Sequence, residues 1–333
     1  MSFRVRILAV IVAIVVVGWS GFWWFAASTV DKASAGAIDR ARSEGVDVAC
    51  GNRAVSGWPF RLTLTCNRIG VASEGIDLSA DALRAVALVY NPSHLIIEAD
   101  SPFRLAGSSP KDSADADWRT GRASVQLNQN RVDRASLSFS DLKVSAAGLA
   151  PFSRPGADRL EIHARRADEP SDLDVALESR GVRADLAGET LPSFDLDVLA
   201  TVIGGAPLLS GAVDSIQAAL EGGNASVAIQ RALLTLGEAQ VEAIGTLKLA
   251  PDGYLNGEIR VAVAGAEALG RELNGVGGLN LDAVRPLLTV LQSFGEPTDI
   301  ETRPANAVTV LIRDGYATAG LLPLGRIDPV RFR

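Results

Sequence analysis

The stretch from Ile7 to Ala27 constrains this chain more than any other, because it decides which solvent the remaining residues meet. No charged residue stands between Arg6 and Asp31. At 1.5 Å of rise per helical residue, about 20 residues cross a hydrocarbon core of roughly 30 Å, so the run is long enough for a membrane helix. Trp19, Phe22, Trp23, Trp24 and Phe25 crowd its far end, where amphipathic rings favour the headgroup zone. Arg4 and Arg6 precede the run, whereas Asp31 and Lys32 cancel after it. The positive-inside bias then makes residues 1–6 a cytoplasmic tail and 7–27 a transmembrane helix, and exports everything beyond. The competing reading is a cleaved secretory signal, cut at Ala26-Ala27-Ser28. Against it, the run exceeds the usual length of a signal's apolar region, and bulky Trp24 and Phe25 stand beside the cut.

No later apolar run approaches a spanning length, so a single span is expected. The remaining chain, about 300 residues, suffices for one large or two ordinary domains with a sizeable core. The formal charge of −7 becomes more negative once Arg4 and Arg6 are left on the inner side. Such a surface does not attract nucleic acid or anionic lipid through a general field. Residues 28–45 read as a helical stalk, with Ala33, Ala37, Ile38 and Ala41 at helical spacing and Gly45 as the stop.

From Val46 the period changes from helical to alternating. Phe60, Leu62, Leu64 and Cys66 alternate with polar residues, and Val46, Val48 and Cys50 share that register. If the two runs pair antiparallel about the Gly57-Trp58-Pro59 turn, Cys50 faces Cys66. These are the only two cysteines. In an oxidising compartment they predict a Cys50–Cys66 disulfide, and closing a loop of this length stabilises by about 3 kcal/mol on the chain-entropy account. Neither a C-x-x-C redox pair nor a four-ligand zinc spacing is present.

Short alternating segments continue through a first β-rich region, 46–205. Leu95, Ile97 and Ala99 form one, Leu137 and Phe139 another, and then come Leu160 and Ile162, Leu173, Val175 and Leu177, and Phe194, Leu196 and Val198. Strands without long intervening helices form antiparallel sheets with one dry face. Ser108 to Asp117 has no period and reads as a surface loop. A second β-rich region with helices, 206–333, opens on an amphipathic helix within Gly204–Gly223. It continues with a hairpin of Val241–Leu249 and Leu255–Val263 about Pro251-Asp252-Gly253. Gly245 and Gly257 inside those strands call for a bend or a close approach. Helices come next at Ala264–Leu273 and Leu281–Phe294, then a closing strand through Val308, Val310 and Ile312. The fold class is therefore mainly β with a few helices (α+β), an antiparallel, curved sheet behind one N-terminal transmembrane helix.

The basic start with its single anchor, the Gly57-Trp58-Pro59-Phe60 turn, and the late strands ending in Arg313-Asp314-Gly315 and Pro323-Leu324-Gly325 resemble an exported bacterial family, domain of unknown function 2125. The resemblance covers most of the chain, implies an anchored envelope protein, and brings no catalytic residues with it.

No residue pattern in the sequence nominates a catalytic, cofactor or metal residue. His94 and His163 are the only histidines, each on the polar side of an alternating segment. Asp172 with Asp174, and Asp195 with Asp197, place acid pairs on one strand face, a solvated sheet face rather than calcium ligands. Gly275-Val276-Gly277-Gly278 lacks the strand and spacing of a dinucleotide fingerprint, and no P-loop or G-x-S-x-G turn occurs. The expectation is a single-pass protein of the bacterial inner membrane with its C-terminal domain in the periplasm, without cofactors, that binds a lipid or docks an envelope partner protein. An envelope hydrolase using carboxylates and a histidine is the alternative.

Overall fold

The computed structural model describes residues 3–109, 112–129, 131–146, 152–186, 188–210, 226–274 and 284–329. These are mainly antiparallel strands, with three α-helices among the described residues. The chain divides into two compact units, Met1–Asn128 with Ala146–Gly148 and Gln129–Ser145 with Leu149–Arg333.

In the first unit, the apolar run and the stalk form one unbroken helix, α1 (Phe3–Ser43). Residues 3–18 are exposed on every side. From Trp19 onward the helix meets β1 (Asp47–Cys50), β2 (Ala54–Ser56) and β3 (Arg61–Ser73). Ala27, Leu62 and Val89 are buried there, with Trp19, Trp23, Ala26, Val30 and Val55 around them. Arg53 Nη1 donates to Asp31 O (2.7 Å) and to Ser34 Oγ (2.6 Å), so the stalk leans on the sheet. The sheet continues through β4 (Ile76–Leu88), β5 (Asn91–Ala106) and β7 (Thr120–Asn128). The expected alternation sets its face, because Leu62, Ala87, Leu95 and Val125 stand opposite one another strand by strand. Ser108–Asp117 is not wholly a loop: β6 (Ala114–Asp117) pairs with the far half of β5, Ala116 opposite Phe103. Four alternating residues of Ala and Asp are too few to announce a strand, and it is the free edge of β5 that recruits them.

Cys50 and Cys66 are joined by a disulfide. Their strands pair antiparallel as expected, but in a different register. Cys50 stands opposite Ile69 and Ala54 opposite Thr65, three residues away from a hairpin centred on Trp58. The turn is longer than three residues, since Gly57 O accepts from Arg61 N across it. The strand also breaks at Gly51–Arg53, where Asn52 (φ 48°) and Arg68 (φ 63°) leave the β region. Gly51 exchanges backbone hydrogen bonds with Asn67 and Arg68 at this break. The disulfide therefore ties an irregular crossing, not two facing residues.

The second unit begins with β8 (Arg131–Ala146), β9 (Phe152–Arg166), β10 (Leu173–Leu186), β11 (Glu189–Thr190) and β12 (Phe194–Ile203). It continues with β13 (Ser226–Leu236), β14 (Ala239–Leu249), β15 (Leu255–Ala264), α2 (Ala266–Asn274) and α3 (Val284–Phe294). β16 (Glu296–Ile300), β17 (Arg303–Arg313), β18 (Tyr316–Ala319) and β19 (Leu322–Arg326) close it. The hairpin about Pro251-Asp252-Gly253 is β14–β15, in register from Gln240 opposite Ala264 to Leu249 opposite Leu255. Gly245 (φ 157°) and Gly257 (φ 148°) serve a close approach. A Cβ at either position would lie 2.2 Å from Glu258 O or 2.1 Å from Thr246 O on the neighbouring strand. Of the helix expected within Gly204–Gly223, Ala206–Ser210 form a 3-10 turn and residues 211–223 lie outside the described residues. Gly275–Gly278 and the first three residues of the Leu281–Phe294 helix also lie outside them.

The core of this unit sits under α2 and α3, whose apolar residues recur at three- and four-residue spacing and so fall on one stripe. Ala268 and Leu269 of α2 and Leu291 of α3 bury against Leu236, Ala239 and Val263. Val290 joins Val310, Ile312, Ala317, Ala319 and Leu324 in an adjoining cluster. A smaller cluster, Leu233, Ala262, Ala264, Ile300, Ala305 and Ala307, fills the opposite face.

Candidate functional site

One apolar face runs through the whole second unit. Cross-strand partners point to the same side of a sheet, and the register aligns Leu137, Ile162, Leu177, Val198 and Ala232 across β8, β9, β10, β12 and β13. The same row continues as Ala243, Val261 and Val308. Over β14–β17 it is roofed: Val261 and Val308 pack against the clusters that contain Val290 and Leu291 of α3. Toward β8 the described residues of α2 and α3 no longer cover it. The packed cluster of α2 and α3 reaches β12 at Phe194, and Leu137, Ile162, Leu177 and Val198 are half-buried. A neighbouring row, Ala135, Ala164, Val175 and Ala200, is built of smaller side chains. A low row beside a tall one is the relief of a shallow groove.

The opposite face of β9–β12 is charged and cross-linked. Arg165 pairs with Asp174 (3.0 Å), Arg180 with Asp197 (2.8 Å) and Glu178 (3.3 Å), and Arg231 with Glu242 (3.0 Å) and Glu301 (2.8 Å). The hydrogen bond to Asp197 raises the Arg180 pKa, and that to Glu301 raises the Arg231 pKa. His163 stands among these pairs, 3.5 Å from Glu161. It lines two shallow cavities of about 300 and 260 Å³, whose shared floor is Ala176 and Leu199. A general base works best with a pKa near the operating pH. The Glu161 carboxyl is displaced the other way, lowered first by its hydrogen bond from Arg159. Asp174 is held by Arg165 and also accepts from Thr201 Oγ1. Asp174 thus ties β10 to β9 and β12, while Glu161 is held within its own strand.

The remaining sequence candidates fall elsewhere. His94 belongs to the first unit, on β5, with Nε2 2.8 Å from Ser124 Oγ of β7. The sequence reading missed that pair; the signal was the β5–β7 register, which sets Ser124 opposite Ile96, diagonal to His94. The two histidines thus lie in different units. Of the acid pairs, Asp172 accepts from Gly204 N and Asp195 from Gly181 N, each at 2.8 Å. They hold backbone at strand ends and bulges. Among the described residues, no three His, Cys, Asp or Glu side chains come together as a metal site.

No curated protein and no solved structure matches the chain. One family does, over residues 23–328, and its description is "Uncharacterized protein conserved in bacteria (DUF2125)". With nearly the whole chain matched, this protein belongs to the bacterial DUF2125 family.

Proposed function

We propose that the protein is held in the bacterial inner membrane by α1, with both units in the periplasm, and that the unroofed apolar face of β8–β12 takes the acyl chains of a lipid. The observation that carries this reading is that the apolar face packs against the clusters of α2 and α3 over β14–β17, where Val263 is buried, while no such cluster includes the half-buried Leu137, Ile162, Leu177 and Val198 among the described residues. Apolar surface left in contact with water is unfavourable by about 25 cal/mol per Å², and a contiguous patch is a mark of an interaction site. From β8 through β9, β10 and β12 to β13, strands at about 4.8 Å spacing give the face a width of about 19 Å, matched to an extended chain rather than a compact ligand. Arg4 and Arg6 ahead of the apolar run support the orientation, and the Cys50–Cys66 disulfide supports an oxidising compartment.

Native mass spectrometry of the full chain, released from its own membranes in mild detergent, tests the reading. The expected result is a co-purifying mass of lipid size that is lost in Leu177→Gln. A chain that carries no adduct, or one that carries a protein partner in its place, overturns the lipid reading. Resistance of the chain to alkaline carbonate extraction tests the anchor separately.

A further inference from the structure

Two turns of the first unit lie beside the aromatic end of α1. Trp19 Nε1 donates to Pro59 O and Trp23 Nε1 to Arg61 O, each at 2.8 Å. Val89 N donates to Phe60 O (3.0 Å), which joins the Val89–Tyr90 turn to the same spot. Trp58, Phe60 and Tyr90 project from these turns at 56%, 57% and 69% exposure, level with Phe22, Trp24 and Phe25 of the helix, which are themselves half-exposed or more. Six exposed aromatic side chains, drawn from three separate segments, gather here, Phe22 and Phe60 touching the ring of Trp19 and all six left at least half in solvent.

Helix geometry fixes where that height falls. From Arg6, the last charge before the apolar run, to Trp19 the helix rises only about 20 Å, and to Trp23 about 26 Å, against a hydrocarbon core of roughly 30 Å. A helix that crosses the core must therefore carry Trp19 and Trp23 to its outer boundary or into it. Pro59 and Arg61 go with them, because their carbonyls are the acceptors of the two indoles. Tilting the helix shortens its reach along the membrane normal and pushes the turns deeper. The backbone is prepared for such a place: the carbonyls of Gly57, Pro59, Phe60 and Arg61 all accept hydrogen bonds within the protein. Polar backbone groups at membrane depth need such internal partners. Trp and Tyr are the residues favoured at the headgroup level.

We propose that the Gly57–Arg61 and Val89–Tyr90 turns sit in the outer headgroup zone of the bilayer crossed by α1, so that the first unit docks on the lipid surface through Trp58, Phe60 and Tyr90. This rests on the reading of α1 as a membrane span. The far ends of β3 and β4 meet at Glu74-Gly75, one length of β3 away from the docked end, a distance of about 40 Å at the rise of an extended strand.

The test is site-directed spin labelling of the full chain in vesicles of phosphatidylethanolamine and phosphatidylglycerol. Trp58→Cys, Phe60→Cys and Tyr90→Cys are labelled one at a time without reductant, with Glu74→Cys as the aqueous reference and Val12→Cys as the hydrocarbon reference. Trp58 and Tyr90 are exposed, so their replacement leaves the packing in place, and their labels carry the test should Phe60→Cys, which gives up a ring contact with Trp19, loosen the turn. The expected result is an oxygen-to-nickel accessibility ratio several-fold higher at 58, 60 and 90 than at 74. Ratios at the tip equal to that at 74, with the Val12→Cys label in hydrocarbon, overturn the docking and leave the anchor standing. A Val12→Cys label in water overturns both.

Discussion

Over β14–β17 the apolar face of the second unit lies beneath α2 and α3, and Val263, Leu269 and Leu291 are buried there; over β8–β12 the same face leaves Leu137, Ile162 and Leu177 half-buried. Both halves are written in the same alternation, hydrophobic toward one side and polar toward the other. The difference lies in the connections. The second half is succeeded along the chain by two short helices with apolar stripes, whereas the described connections between β8 and β12 contain no α-helix. The opposite face divides the same way. Behind the open half stand cross-strand ion pairs, which at their exposure are worth about 0–1 kcal/mol each; behind the roofed half stand Ile300, Ala305 and Ala307 in a second apolar cluster. A sheet so arranged holds itself together at one end and keeps its other end available.

The largest effect is expected at Leu291, which is 2% exposed beneath the roof. Leu291→Ala removes a buried side chain from a packed site and is expected to destabilise the unit by about 2–5 kcal/mol. Urea unfolding of the full chain in detergent measures it, and a loss below about 1 kcal/mol, outside the range for such a truncation, would mean that the roof is not where stability resides. Next in size is Gly257→Ala, within the roofed half. It forces a Cβ against Thr246 O at a φ of 148°, and strain of this kind costs roughly 1–3 kcal/mol. The change in urea midpoint reads it directly, and an unchanged midpoint would show that β14 and β15 can separate locally without penalty.

The same division separates the features legible in the sequence from those hidden in it. Alternation such as Leu95-Ile97-Ala99, the Pro251-Asp252-Gly253 turn and the striped helix containing Leu287, Leu288 and Leu291 are local signals, and the corresponding strands, hairpin and α3 are present. The Cys50–Cys66 bond was legible because only two cysteines exist, while its register was not, because a five-residue turn and the break at Gly51–Arg53 carry no mark in the pattern. β6 was hidden because pairing with the edge of β5 created it. The open face was hidden for a further reason: Leu177 and Val261 look alike in sequence, and only the fold decides which of them receives a helix. The Trp19 and Trp23 hydrogen bonds join residues about forty positions apart and leave no local trace.

Acid tests the unroofed half. Asp185 at the end of β10 is buried, accepts from Thr190 Oγ1 at 2.8 Å, and pairs with Arg154. The Thr190 hydrogen bond first, and Arg154 second, hold its carboxyl below the usual carboxylate range. A carboxyl lowered on folding contributes stability that is present above its unfolded pKa of about 3.9 and is lost as pH falls through the folded value. As pH falls below about 4, hydrogen exchange should therefore show β9–β11 loosening before β13–β17. In Asp185→Asn that region should be weaker at neutral pH and change less on acidification. Equal acid response of wild type and variant would place the acid sensitivity elsewhere.

The smallest effect on stability is expected on the open face. Leu177→Gln exchanges an apolar side chain for a polar one of similar length on the open face. Because Leu177 is already partly in water, little burial is lost, and the change should stay within about 1 kcal/mol. Leu269→Gln makes the same exchange at a residue 5% exposed beneath the roof. There the amide loses water and gains no partner among its apolar neighbours, so the cost should be several-fold larger. Urea unfolding of the two variants side by side is a measurement of the roof itself. Equal losses would mean that the open face is packed in solution as tightly as the closed one, leaving no site for a lipid. A neutral Leu177→Gln beside a damaged Leu269→Gln would mean that the apolar character of Leu177 is retained for something other than folding.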